Sequence, residues 1–213
     1  MSLLISTFFI AAGCLFQFQQ ASKYEQVMTG NIEKIYQAET VEEYRAVVNT
    51  FERIAQKENE KWEPLYYSAY GYIMMSVKAT STGDKDKYLD LALEHIKKSY
   101  ELAPQEDEVW ALEGFVHMIR VSIDPGSRGQ QYTPLTMQTL KKAVEMDPGN
   151  PRATYLLGRM EFGTARFFGA DTSPACARLQ EAVRLFELQP GQVTLAPSWG
   201  ANEAKEVATY CGK

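Results

Sequence analysis

From Tyr24 to Tyr210 apolar residues recur every three or four positions, and polar residues fill the intervening ones. That period places the apolar set on one face of a helix, whereas a half-buried strand would alternate every second residue. The pattern predicts helices over Tyr24–Glu39, Val41–Asn59, Glu60–Ala79, Lys85–Ala103, Glu106–Ile123, Pro134–Asp147, Pro151–Phe168, Pro174–Gln189 and Ser198–Tyr210, and almost no sheet. The punctuation agrees. "STGD" (Ser81 to Asp84) and "DPGSRGQQ" (Asp124 to Gln131) read as loops. Thr133 before Pro134 and Ser173 before Pro174 read as N-caps followed by proline in the first turn. Gly169 suits a left-handed C-terminal cap.

The helix endings repeat. "YELAP" (Tyr100 to Pro104), "VEMDPGNP" (Val144 to Pro151) and "FELQPGQ" (Phe186 to Gln192) vary one theme. Aligned on the closing proline, Ala92, Ile96, Ser99 and Pro104 fit a second helix, and Trp110 and Gly114 open the next unit. Leu140, Ala143 and Pro148 lead in the same phase to Thr154, Leu157 and Gly158, and Tyr44, Val48 and Phe51 lead to Trp62 and Leu65. This pattern resembles the tetratricopeptide repeat, a helix–turn–helix unit. The fold expected is all-α: a short right-handed helical-repeat array with degenerate repeats and a C-terminal capping helix.

Departures from the motif are localised. Trp62 to Ala92 spans 30 residues, Trp110 to Thr136 spans 26, and Thr154 to Ala177 spans 23. The motif spans about 16. Each excess lies between the first and second helix of a unit, and such junctions share one edge of a solenoid. The extra length therefore builds up one rim. More narrowly, "FERIAQKENEKWEPLYYSA" (Phe51 to Ala69), "GTARFFGADTSPAC" (Gly163 to Cys176) and "PSWG" (Pro197 to Gly200) resemble a family of exported bacterial tetratricopeptide-like proteins. That resemblance implies fold and export and transfers no activity.

The N-terminus is of a different kind. The first charged residue is Lys23, preceded by the apolar run Leu3–Phe16. The run is short for a span, which needs about 20 apolar residues, and has the length of a secretory core. Residues 1–22 are expected to be a cleaved export signal and residues 23–213 a single helical domain. "AAGC" (Ala11 to Cys14) resembles a lipobox, but Ala11 and the apolar "LFQF" after Cys14 favour cleavage near Ala21, which removes Cys14. Localisation to the periplasm or cell envelope follows, with membrane attachment only through a lipid on Cys14. Cys176 and Cys211 then remain, either as a disulfide across some 35 residues or as two buried thiols.

Candidate chemistry is sparse. The net charge of −5, without basic clusters, argues against nucleic acid. The two histidines, His95 and His117, lie far from either cysteine in sequence, and no zinc spacing, GxSxG, HExxH or phosphate-cradling loop occurs. No catalytic residue, metal site or cofactor is assigned, and charge runs such as "QEDE" (Gln105 to Glu108) read as solvated. First helices of this repeat class line a concave groove. The register points Tyr67, Tyr70, Phe115, Tyr155, Arg159, Phe162 and Arg166 into it, with Arg152. Aromatics and arginines are anchor residues of binding surfaces, although an aromatic stripe at helical spacing also serves as core. Within the last long helix, Gly158 and Gly163 are expected to permit close helix contact, and Phe167 and Phe168 to bury its end. Trp199 is expected to seal the end of the stack. The function expected is a non-catalytic scaffold or adaptor for a protein or peptide of the cell envelope, bound in the groove or on the insertion-bearing rim. The alternative is a carrier of a small ligand or lipid; an enzyme is the least supported reading.

Overall fold

The computed structural model describes residues 21–189 and 195–211. The apolar run Leu3–Phe16, Cys14 and the expected cleavage region before Ala21 lie outside the described residues. These form α1 (Lys23–Gln37), α2 (Val41–Lys57), α3 (Glu63–Lys78), α4 (Thr82–Leu102), α5 (Asp107–Ile123), α6 (Pro125–Met146), α7 (Pro151–Phe168), α8 (Ser173–Leu188) and α9 (Ala201–Ala208). No strand occurs among the described residues.

Helices pair in chain order, α1 with α2, α3 with α4, α5 with α6, and α7 with α8. The first helices also touch in succession, α1 to α3, α3 to α5 and α5 to α7, so they form an inner layer. Burial follows. The run Pro64–Ile73 of α3 is buried on every side, as expected of a helix apolar all round. Helix α2 buries only Tyr44, Val48 and Phe51, one stripe. Glycines set the separation of the layers. A methyl group on Gly114 of α5 would lie 2.4 Å from Leu140 of α6, and one on Gly158 of α7 would lie 3.2 Å from Leu179 of α8. Both positions are the small-residue position of the repeat, and both accept a leucine from the second helix.

Four helix starts differ from the sequence reading by three residues or more, α3 at Glu63 rather than Glu60 being one of them. "DPGSRGQQ" is helical: α6 starts at Pro125, and Pro134 lies inside it. Asp124 is the N-cap, its carboxylate accepting from the Ser127 N–H (3.2 Å) and hydroxyl (2.6 Å). "STGD" likewise starts α4, with the Ser81 hydroxyl accepting from the Asp84 N–H. Helix α9 starts after Gly200 rather than at Ser198. Gly200 has φ 104°, and a Cβ there would sit 3.0 Å from the Phe186 ring, so both backbone and space require glycine. Past α9, Cys211 is joined to Cys176 of α8, with Cα atoms 5.6 Å apart. A cross-link over 35 residues contributes about 2–4 kcal/mol. No described helix is long and apolar enough to cross a membrane.

Candidate ligand-binding site

The concave face is filled. Tyr67, Tyr70, Phe115, Tyr155 and Phe162, predicted to line an open groove, are all buried. Residues Leu195–Gly200 cross over the first three. The Tyr67 hydroxyl donates to the Leu195 carbonyl (2.8 Å), the Ser198 N–H donates to the Tyr36 hydroxyl (3.1 Å), and the Trp199 indole N–H donates to the Tyr66 hydroxyl (3.0 Å). The Trp199 ring stacks on Tyr70 and on Phe115, each at 5.5 Å between centroids. Trp199 thus covers the inner face rather than one end of the stack.

Arg152 does not belong to a ligand cluster. Its guanidinium forks onto Glu108 (2.8, 2.8 and 2.6 Å), and residue exposure is 2% for Arg152 and 7% for Glu108. "QEDE" therefore contributes one core carboxylate. Its neighbour Glu106 lines a second, acidic cleft with Trp62, Glu63 and Asp147. Burial, with Asp107 and Glu108 close by, pushes the Glu106 carboxyl up to about 7. The folded chain then keeps a proton that the unfolded chain has released above about 4.5, so stability falls as pH rises through that window. Glu106→Gln should flatten the dependence of the urea midpoint between pH 5 and 8. At pH 8 it should gain about 1 kcal/mol, a figure reduced for the half-exposed position. An unchanged slope would refute the assignment.

An open pocket lies on the rim where the insertions accumulate. The C-terminal turns of α5 and α7 and the N-terminal half of α6 enclose about 600 Å³, within the range of small-molecule sites. Met118 and Val121 contribute from α5, Gly126, Gly129 and Pro134 from α6, and Arg159, Met160, Gly163, Phe167 and Phe168 from α7. Two expectations fail here. Phe167 and Phe168 do not bury the helix end. They are 68% and 76% exposed and meet edge to face at the pocket's lip. Gly163 permits no close helix contact, because a Cβ there would meet nothing within 4 Å, and the same holds for Gly129. A helical glycine costs about 1 kcal/mol relative to alanine. At these two positions the cost is offset by no packing, and what the missing side chains leave is room in the pocket. Gly169 caps α7 in the left-handed conformation, as the sequence implies (φ 66°).

The polar groups of the pocket divide sharply. Hydroxyls of Ser122 and Thr164 donate to their own helices, at the carbonyls of Ile119 and Met160 (both 2.8 Å). Arg159, exposed at the mouth, donates to the Tyr155 hydroxyl (3.1 Å) and meets no carboxylate among the described residues. Glu161, a candidate partner, pairs instead with Arg178 (2.8 Å). Arg166 lies over the Phe162 ring, 5.8 Å from its centroid. Arg166 does not line the pocket, and the site offers apolar area, flat backbone at the glycines, Gln130 and Thr133 on α6, and one arginine, Arg159, with donors to spare. The histidines are elsewhere: His95 meets Glu52, and His117 meets Glu113.

The described helices form a tetratricopeptide-like helical-repeat fold. No family model and no curated protein matches the chain. Among solved structures it is similar to the HusA haemophore from Porphyromonas gingivalis, at TM-score 0.81 and 25% identity, over 91% of this chain and 94% of that one. It also aligns with TTC0263, a thermophilic TPR protein of Thermus thermophilus, at TM-score 0.47 and 15% identity, over 87% and 97% of the two chains.

Proposed function

We propose that this protein is a non-catalytic carrier. It holds a bulky, largely apolar small molecule bearing an acidic group in the α5–α6–α7 pocket, and haem is the first compound to test. The observation that carries this is the pocket itself: about 600 Å³, walled by apolar side chains and two helical glycines that packing does not require, with Arg159 at its mouth. The similarity to a haemophore supports the ligand class. Arg159 is the residue to fork onto a carboxylate there. The apolar run Leu3–Phe16 and the Cys176–Cys211 bridge support work outside the cytoplasm, in the periplasm or envelope. The site is the insertion-bearing rim, not the concave groove.

The test is a haem titration followed by Soret absorbance, for the wild type beside Gly163→Trp. The added Cβ meets nothing within 4 Å and the indole occupies the pocket's own volume, so its melting temperature should match or exceed the wild type's. Saturable one-to-one binding weakened at least tenfold in Gly163→Trp is expected. Equal binding by both proteins would sink the site. A second reading follows from the exposed Phe167–Phe168 pair: an envelope protein seats an apolar side chain on the same lip. It requires capture of a partner that Phe167→Ser/Phe168→Ser loses and excess haem displaces.

A further inference from the structure

The N-terminal half of α6, residues 125–133, is built unlike the rest of the core. None of its side chains is buried, and the first buried residue of α6 is Thr136. Its attachments are polar or aromatic. The Arg128 guanidinium forks onto both oxygens of Asp86 in α4 (2.7 and 2.8 Å), and Arg120 reaches one of the same oxygens at 3.3 Å. Tyr132 stacks on His117 (6.1 Å between centroids) beneath the Arg120 guanidinium (5.5 Å). Arg120 is itself anchored by Asp90 (2.5 Å).

This half meets the remainder of the helix at a weakened joint. Pro134 has no N–H, so the Gln130 carbonyl loses its intrahelical donor, and the ring crowds that carbonyl. Next to it the Thr136 hydroxyl donates back to the Tyr132 carbonyl (2.8 Å), a bond associated with helix bending. Gly126 and Gly129 lower the helical propensity of the segment further. The same segment forms one wall of the pocket through Pro125, Gly126, Gly129, Gln130 and Thr133.

We infer that residues 125–133 are a gate, hinged at Pro134 and latched by Arg128 on Asp86, that opens to admit and release the pocket's ligand. The inference rests on the pocket being the ligand site, but the motion is a property of the empty protein. Opening breaks a partly exposed ion pair, one aromatic stack and the Arg120 contact with the Tyr132 ring, while leaving the Leu140 contact with Gly114 in place. Local opening of this kind draws on segments with few buried apolar contacts.

Hydrogen exchange of the ligand-free full chain tests the gate directly. Amides of 129–133 should exchange at least tenfold faster than those of 137–145. Arg128→Gln, which removes the latch, should speed them about threefold to tenfold, the range for losing a partly exposed bidentate pair. Pro134→Ala, which restores the missing hydrogen bond, should slow them. Stopped-flow mixing with haem should follow suit in Arg128→Gln, whose side chain does not line the pocket, with association and dissociation both faster and the ratio of the two rates changing less than either. Equal protection along α6 in the wild type, or exchange unmoved by both variants, would overturn the gate. Absence of haem binding would remove the ligand reading alone, because the exchange result is obtained without ligand.

Discussion

Glu108→Ala should destabilise the protein by about 3–5 kcal/mol, the range for stranding one half of a buried ion pair. At this chain size that lowers the melting temperature by roughly 10 °C. The cost lies less in the lost attraction than in what remains. Arg152 would keep its charge in a site 2% exposed, against the Phe186 ring at 5.9 Å, with Gln189 at 3.4 Å its one remaining hydrogen-bond acceptor among the described residues. Asn150 would also lose its acceptor on Glu108 (3.0 Å) while still capping α7 through the Ala153 N–H. Burial already pushes the Glu108 carboxyl above its usual range against the pull of Arg152, so the pair is held by the fold around it. The double substitution Glu108→Leu/Arg152→Met removes both charges and should recover most of the loss. Thermal melts of the three proteins decide it. A single variant no less stable than the double one would show that the charge of Arg152 finds water.

The architecture was legible because the repeat writes its contacts into sequence spacing. Gly114 and Gly158 stand at the one position where a first helix must admit a leucine from its partner, and the structure puts Leu140 and Leu179 there. The gate segment was hidden because its helicity is a tertiary effect. Two glycines and a proline in Asp124–Gln131 read as a loop, and the tie that sequence does not show is Arg128 on Asp86, 42 residues away. One local signal existed: Asp124–Pro125 carries the cap-then-proline signature. At Ser173–Pro174 that signature places the cap one residue late, because Thr172 is the N-cap of α8 and Ser173 its first residue. Register predicted which aromatics face inward, but not that Leu195–Gly200 would cover Tyr67, Tyr70 and Phe115. Gly163 marks a sharper limit. A glycine kept for a close neighbour and one kept for empty space are the same letter, and only the surrounding atoms distinguish them.

Trp199→Ala should cost about 3–4 kcal/mol, as deletions of large aromatic side chains do. The indole lies between two rings, and its N–H satisfies the Tyr66 hydroxyl, whose residue has no exposure. Removing it uncovers Tyr70 and Phe115 together, so the variant should bind an anilinonaphthalene dye that the wild type leaves in water. The segment will not detach wholly, because Cys211 still ties the chain after α9 to α8. Trp199→Phe keeps the stack and loses only the hydrogen bond, and should cost about 1–1.5 kcal/mol. Urea unfolding of the two variants separates these contributions, and a Trp199→Ala midpoint equal to the wild type's would mean that the ring covers nothing of consequence. The same variant also arbitrates between the two faces of the molecule. Trp199 does not line the rim pocket, so Trp199→Ala should bind haem as the wild type does while Gly163→Trp does not. The opposite pattern would return the ligand to the concave face and make the C-terminal segment its competitor.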